Sequence, residues 1–233
     1  MRKTKEASIS AYRLKPDASI ITAITYQKRD KLRASVFIAG EFAFGVNVAT
    51  IEKFRFRKGD ELDAALLERL REFDERISAK RVTAKFLNTR RRSEKEVREK
   101  LRKEQFADEI IDEIIPEVLR SGLIDDEAFA RAFVHDKRLV KPVSSRQLGL
   151  ELRRKGISKA IVATVLGEAD EDGTEEDRAL KAAMKKWEQL QRRELDDKKR
   201  KLKLSAFLGS RGFEYDVVKT VLRKLHAEVE EEF

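Results

Sequence analysis

Five apolar positions recur at one set of spacings in three places, and this repetition restricts the fold more than any other property of the chain. Val97, Leu101, Phe106, Ile110 and Ile114 are separated by four, five, four and four residues. Leu148, Leu152, Ile157, Ile161 and Val165 repeat the pattern 51 residues on, and Leu204, Leu208, Phe213, Val217 and Val221 repeat it after a further 56. Steps of four keep side chains on one face of an α-helix, and a single step of five interrupts that face. Each copy therefore predicts a short helix, a turn one residue before the Phe or Ile, and a second helix. Gly156 and Gly212 hold that turn position in the second and third copies, as a left-handed C-terminal cap favours, whereas the first copy has Gln105.

A third helix recurs as well. Ala128, Phe129 and Phe133 correspond, 51 residues on, to Ala179, Leu180 and Met184. Ser93-Glu94-Lys95-Glu96 reads as a capping box. Asp125-Asp126 and Glu175-Glu176-Asp177 place acids at helix starts, where they offset the macrodipole. The expected fold is mainly α: three tandem three-helix repeats in an elongated curved array, preceded by a small N-terminal three-strand element. Ile20–Tyr26, Ala34–Ile38 and Phe42–Val46 are short β-branched or aromatic runs separated by polar turns, hence strands. Val48–Phe56 suggests one short helix ending near Gly59. Leu62, Leu66, Leu67, Leu70 and Phe73 form one face of the next helix. The expected divisions are a mobile segment 1–18, a strand-rich domain 19–60, a connecting helix 61–78, repeats at 79–140 and 141–195, and a third repeat with an acidic tail at 196–233.

Composition removes several function classes. The 233 residues include no cysteine, which excludes disulfides, thiolate catalysis and Cys-ligated metals. The two histidines, His135 and His226, are far apart and lack spaced partners. No apolar run reaches the roughly 18 residues of a membrane span. No apolar stretch follows the basic Met1–Glu6 either, so no signal peptide is expected and the expected location is cytoplasmic. Lys and Arg number 52 against 43 Asp and Glu, a net charge of +9 that points to an anionic partner.

That charge alternates along the chain. Residues 80–103 carry eleven bases against three acids, and residues 104–136 two against ten. Residues 137–156 carry seven against one, 157–177 one against seven, and 178–203 eleven against four. The first helices are thus basic and the second mostly acidic. Either neighbouring helices neutralise each other, or the basic helices line up as a positive stripe. The candidate contacts are Arg90, Arg91, Arg92, Arg98, Arg102, Arg146, Arg153, Arg154, Lys155, Lys198, Lys199, Arg200 and Lys201. Lys and Arg at the end of a helix, as at Arg153-Arg154-Lys155, also complement its dipole.

Motifs for chemistry are missing. There is no G-x-x-x-x-G-K-[ST] loop, and Gly40-Glu41-Phe42-Ala43-Phe44-Gly45 has the wrong spacing for a dinucleotide site. Asp125-Asp126 could hold Mg²⁺, but its place before an amphipathic helix argues for a cap. Trp187 reads as core. No enzyme and no cofactor are expected.

Arg92-Ser93-x-x-Glu96, the run Ile124-Asp125-Asp126-Glu127-Ala128-Phe129-Ala130, and Leu152-Arg153-Arg154-Lys155-Gly156-Ile157 together resemble the regulatory protein RecX family. The resemblance covers about residues 80–225, and Gly40–Val46 looks like the strand-rich extension of longer members. It implies a modulator of the RecA recombinase in homologous recombination, DNA repair and the SOS response. Members bind RecA–single-stranded-DNA filaments in the helical groove and restrain ATP hydrolysis, strand exchange and co-protease activity. Arg92, Arg153 and Lys155 match the family's motifs, and the other basic candidates come from charge clustering alone. A direct nucleic-acid-binding module and an adaptor for another acidic protein are the alternatives. A monomer is expected, with possible direct contact to DNA phosphates.

Overall fold

The structure, a computed structural model, describes residues 9–14, 19–140, 142–170, 173–192 and 196–231, with side chains in the last helix as far as Leu225. The chain divides into two compact units: Met1–Arg90 with Val97–Leu123, and Arg91–Glu96 with Ile124–Phe233.

In the first unit β1 (Ile21–Tyr26), β2 (Arg33–Ile38) and β3 (Glu41–Asn47) form an antiparallel sheet in chain order, within a residue or so of the expected runs. Ala39 and Gly40 connect β2 to β3 with φ of 51° and 81°, the hand a two-residue hairpin turn requires. Alternation places Ala34, Val36 and Ile38 of β2 beside Phe44 and Val46 of β3 on the covered face, where Ile9, Ile21, Phe56, Leu62, Leu67 and Leu70 complete a core. Of the segment expected to be mobile, residues 1–8 and 15–18 lie outside the described residues, while Ile9 is fully buried.

Two helices seat the sheet. α1 (Val48–Phe54) follows β3 directly. α2 (Ala64–Leu87) is capped by Asp63, whose carboxylate accepts from the Leu66 amide at 2.6 Å. α2 runs without a break through the expected boundary between 78 and 79. Buried Asp74 on α2 accepts from the Asn47 amide (2.6 Å), Asn47 Nδ2 (2.9 Å) and Thr50 Oγ1 (2.8 Å). Arg81 donates to Asn47 Oδ1 at 2.8 Å and grips both oxygens of Asp30 at 3.0 and 2.8 Å. A buried carboxylate lacking such donors would cost several kcal/mol, so this network ties the β3–α1 corner to α2 in one arrangement.

The remaining helices are α3 (Glu94–Lys103), α4 (Asp108–Arg120), α5 (Asp126–Val140), α6 (Ser145–Arg154), α7 (Lys159–Asp170), α8 (Glu175–Gln191), α9 (Asp197–Ser210) and α10 (Tyr215–Glu231). Every repeated apolar position is buried or half-buried. The step of five has a direct physical cause. The amide of Phe106 donates to the Leu101 carbonyl at 3.2 Å, Ile157 to Leu152 at 3.1 Å, and Phe213 to Leu208 at 3.3 Å. These are the long bonds of a Schellman cap, and the residue before each donor is left-handed: Gln105 at φ 66°, Gly156 at 89°, Gly212 at 85°. Gln105 therefore adopts the glycine conformation in spite of its Cβ.

The third helix differs from its expected place in two ways. Asp125 caps α5 through the Ala128 amide (2.8 Å), and Thr174 caps α8 in a full capping box with Asp177, 49 residues later. The caps fix the register, so Ala130 and Val134 correspond to the buried Ala179 and Ala183, while Met184 is 47% exposed. The long helix also packs on the pair that follows it. Phe129, Ala130 and Val134 of α5 share a core with Leu148, Leu152, Ile157 and Val165. Ala183, Trp187 and Leu190 of α8 share one with Leu204, Leu208, Phe213 and Val221. In the first unit α2 meets α4 through the ion pairs Arg76–Glu113 and Lys80–Glu117. The expected boundaries 79–140, 141–195 and 196–233 thus run one helix out of phase with the cores.

Urea denaturation tests the turns. A Cβ at Gly156 would lie 2.6 Å from Lys95 Cβ as well as forcing a left-handed φ, so Gly156→Ala should lose about 1–2 kcal/mol or more. Gln105→Gly should gain about 0.5–1 kcal/mol, since it removes that penalty against a smaller entropic cost. A loss for Gln105→Gly would contradict the cap assigned to the first turn.

Candidate partner-binding surface

Two fully buried serines organise the basic helices of the second unit. Ser93 Oγ accepts from the Glu96 amide at 3.2 Å, as an N-cap should, and donates to the Lys155 carbonyl at 2.7 Å. Ser144, 51 residues later, accepts from the Gln147 amide at 3.0 Å, and its own amide donates to the Arg211 carbonyl at 3.1 Å. Lys155 and Arg211 are the residues just before the left-handed Gly156 and Gly212. Each helix start therefore rests on a Schellman turn further along the chain. Gly212 permits the second approach: a Cβ there would lie 2.5 Å from Ser144 Oγ.

The first junction collects charge. Lys95 Nζ donates to the Arg154 carbonyl at 2.9 Å, and Lys155 Nζ pairs with Glu96 at 2.7 Å. Lys155 also sits 5.7 and 5.6 Å from the Phe129 and Phe133 ring centroids. Asp126 accepts from the Glu94 amide at 2.9 Å, so the two adjacent acids cap two different helices, Asp125 its own and Asp126 the start of α3. Burial, with the Glu94 and Asp125 charges, pushes the Asp126 carboxyl above its ordinary range, against the Glu94 hydrogen bond.

Neutralisation between helices accounts for part of the alternating charge. Arg98 pairs with Asp112 at 2.6 Å and Arg102 with Asp108 at 2.9 Å, each linking α3 to α4. Arg131 joins α5 to α7 through Glu168, which holds the Glu168 carboxyl below its ordinary range. Arg138 pairs with Asp170 at 2.6 Å. Burial pushes Glu151 up, yet its hydrogen bonds from Lys137 and Gln147 hold it below the usual carboxylate range. His135 is exposed and lines an open cavity of about 770 Å³ with Arg138, Leu139, Leu180 and Met184, with no histidine beside it. Among the described residues no cluster of acids or histidines could hold a metal, and no helix is long and apolar enough to cross a membrane.

The thirteen basic candidates do not form one set. Lys155, Arg98 and Arg102 are spent on the internal pairs above. Arg146 lies 3.9 Å from Glu214 with both side chains 70% exposed, a contact worth little. Arg90 and Arg91 are exposed and Arg92 is half-buried just ahead of Ser93. On α9, Lys199 pairs with Asp196 and Lys201 with Asp197, Arg200 is half-buried, and Lys198 is exposed. Arg153 and Arg154 are exposed at the end of α6 and, among the described residues, make no ion pair. They flank the very turn on which Ser93 rests.

Family models cover most of the chain in order. The RecX N-terminal domain matches residues 19–63, the first three-helix domain 79–115, the second 125–166 and the third 174–222. Regulatory protein RecX of Clostridium botulinum (strain Alaska E43 / Type E3) is 32% identical over 204 residues, 88% of this chain and 95% of that protein. This chain belongs to the RecX family of regulatory proteins. The RecX protein of Clostridioides difficile (strain 630) is 30% identical over 206 residues, again 88% of this chain. A crystal structure of regulatory protein RecX superposes with a TM-score of 0.63 at 24% identity, covering 87% of this chain and 98% of its own. RecX from Lactobacillus salivarius superposes at 0.58 with 23% identity over 66% of this chain. Both structures share the fold. The RecX three-helix domains begin with the long helix, the same phase as the cores described above.

The junctions escaped sequence reading because their partners are 62 and 67 residues apart. One signal was available: Ser93 and Ser144 share the repeat offset of 51. Asp126 offers a test of the first junction. Its folded carboxyl is raised, so ionisation costs stability at neutral pH, and the cost disappears as pH falls toward the unfolded value. Asp126→Asn keeps the acceptor for Glu94 and removes the charge; it should be at least as stable as wild type at pH 7, with any gain vanishing below about pH 4. Asp126→Ala should lose about 1 kcal/mol. Thermal melts of the three proteins at both pH values provide the comparison.

Proposed function

We propose that this chain is a non-enzymatic modulator of the RecA recombinase, a negative regulator that binds in the groove of RecA–single-stranded-DNA filaments and restrains ATP hydrolysis, strand exchange and co-protease activity. The match of all four RecX domains in order carries this reading. Tandem helical bundles offer a long contact surface and need no enclosed pocket, which suits a polymeric partner. The internal pairing of α3 with α4 and of α5 with α7 limits indiscriminate attraction to polyanions. Exposed Arg153 and Arg154 then supply the contact with an acidic protein surface.

The test is single-stranded-DNA-dependent ATP hydrolysis by the cognate RecA, titrated with this protein. Inhibition at well below one molecule per RecA protomer is expected, and no effect of equimolar protein at two salt concentrations would overturn the proposal. Arg153→Glu with Arg154→Glu should weaken filament binding about tenfold. Both side chains are exposed, so the unfolding midpoint should stay within about 0.5 kcal/mol of wild type. Reversing Arg90, Arg91 and Arg92 should also weaken binding, with half-buried Arg92 adding a stability cost. Wild-type affinity in both variants would remove these clusters from the contact.

A further inference from the structure

We propose that the outer face of the N-terminal sheet, with the hairpin loop between β1 and β2, is a binding surface for single-stranded nucleic acid that acts without the recombinase. The loop Gln27-Lys28-Arg29-Asp30-Lys31-Leu32 holds three cations and one acid. Arg81 occupies both oxygens of that acid, which lowers the Asp30 carboxyl below its ordinary range, and Asp30 Oδ1 also accepts from the Leu32 amide at 3.2 Å. The loop is thus braced against α2 by its only negative charge. Lys28, Arg29 and Lys31 remain exposed, and among the described residues none of them makes an ion pair. Three unpaired cations on a braced loop call for an anionic partner.

The adjoining face names the anion. Ala34, Val36 and Ile38 face the core, so Arg33, Ser35 and Phe37 lie on the opposite face of β2. Phe37 pairs across strands with Phe42 of β3, which is 48% exposed, and the two rings meet edge to face with centroids 6.0 Å apart. Phe42 has no place in the core of this unit. Arg33 to Phe37 spans about 13 Å at strand rise. A row running from cations through a guanidinium to an aromatic pair suits phosphates at one end and unstacked bases at the other. An acidic protein surface would satisfy the loop and leave the exposed ring without a role. A duplex would satisfy the cations and present no free base face to the ring.

Fluorescence anisotropy of the full chain with a labelled oligothymidylate of about 30 nucleotides tests this directly, with no recombinase present. Lys28→Glu, Arg29→Glu and Lys31→Glu together should weaken binding at least about tenfold and reduce the salt slope by about 2 between roughly 50 and 200 mM salt. Phe42→Ala should weaken binding about 5-fold or more and leave the slope unchanged. Phe42→Leu, which keeps an apolar side chain for the sheet, should behave like Phe42→Ala, so loss of stacking is separated from loss of folding. A duplex of equal length should bind more weakly. Wild-type oligonucleotide affinity in the triple variant overturns the proposal, and if that variant instead loses inhibition of RecA, the face belongs to a protein. A charge effect with no effect of either Phe42 variant, or equal binding of duplex, also overturns it by reducing the surface to non-specific attraction.

Discussion

A backbone hydrogen bond from an amide to the carbonyl five residues before it sets the course of the helix pairs in this protein. It joins Phe106 to Leu101, Ile157 to Leu152 and Phe213 to Leu208, in each case between two apolar side chains that meet in the same turn. The left-handed residue inside the bond reverses the chain, and the steps of four on either side then direct both helices onto one core. A protein with three such turns has little freedom over where its short helices go. What remains to be fixed is how the pairs acquire a third helix, and caps do this: Asp63, Asp125 and Thr174 set where α2, α5 and α8 begin.

Polar groups determine the arrangement wherever apolar packing is permissive. Asp74 accepts three hydrogen bonds in the first unit and fixes the corner at Asn47. In the second, Ser93 and Ser144 place helix starts against turns that no apolar side chain specifies. Small buried hydroxyls suit this task because each one both caps a helix and leaves hydrogen-bonding capacity for a neighbour. The surface charges act differently. Most of those examined serve pairs between adjacent helices, and the few exposed cations without such a pair stand out for that reason.

The repeat was legible because apolar periodicity is local: Leu148, Leu152 and Ile157 lie within ten residues of one another, and their spacing encodes both helix and cap. The strands were legible for the same reason. The phase of the third helix was not. Ala179 and Ala183 carry little hydrophobic weight, so Leu180 and Met184 drew the register two residues away from the one set by Thr174. Sequence charge suggested thirteen contacts of equal standing, and only folded geometry separates Lys155, held by Glu96 and two rings, from its neighbours Arg153 and Arg154. Lys28, Arg29 and Lys31 went unremarked because Asp30 seemed to dilute them, until Arg81, fifty-one residues away, claimed that acid.

The serine junctions make the second unit's stability directional. Opening the α9–α10 turn removes the acceptor of the buried Ser144 amide, and an orphaned buried donor costs about 1–3 kcal/mol. Loosening of the α6–α7 turn likewise deprives Ser93 of its carbonyl. Fraying that starts at the C-terminal bundle is therefore felt upstream, whereas α3 can lift from its turn while the downstream bundle keeps its own bonds. Cooperativity in this chain runs against the direction of synthesis: the ribosome releases each helix start before the turn that will hold it exists.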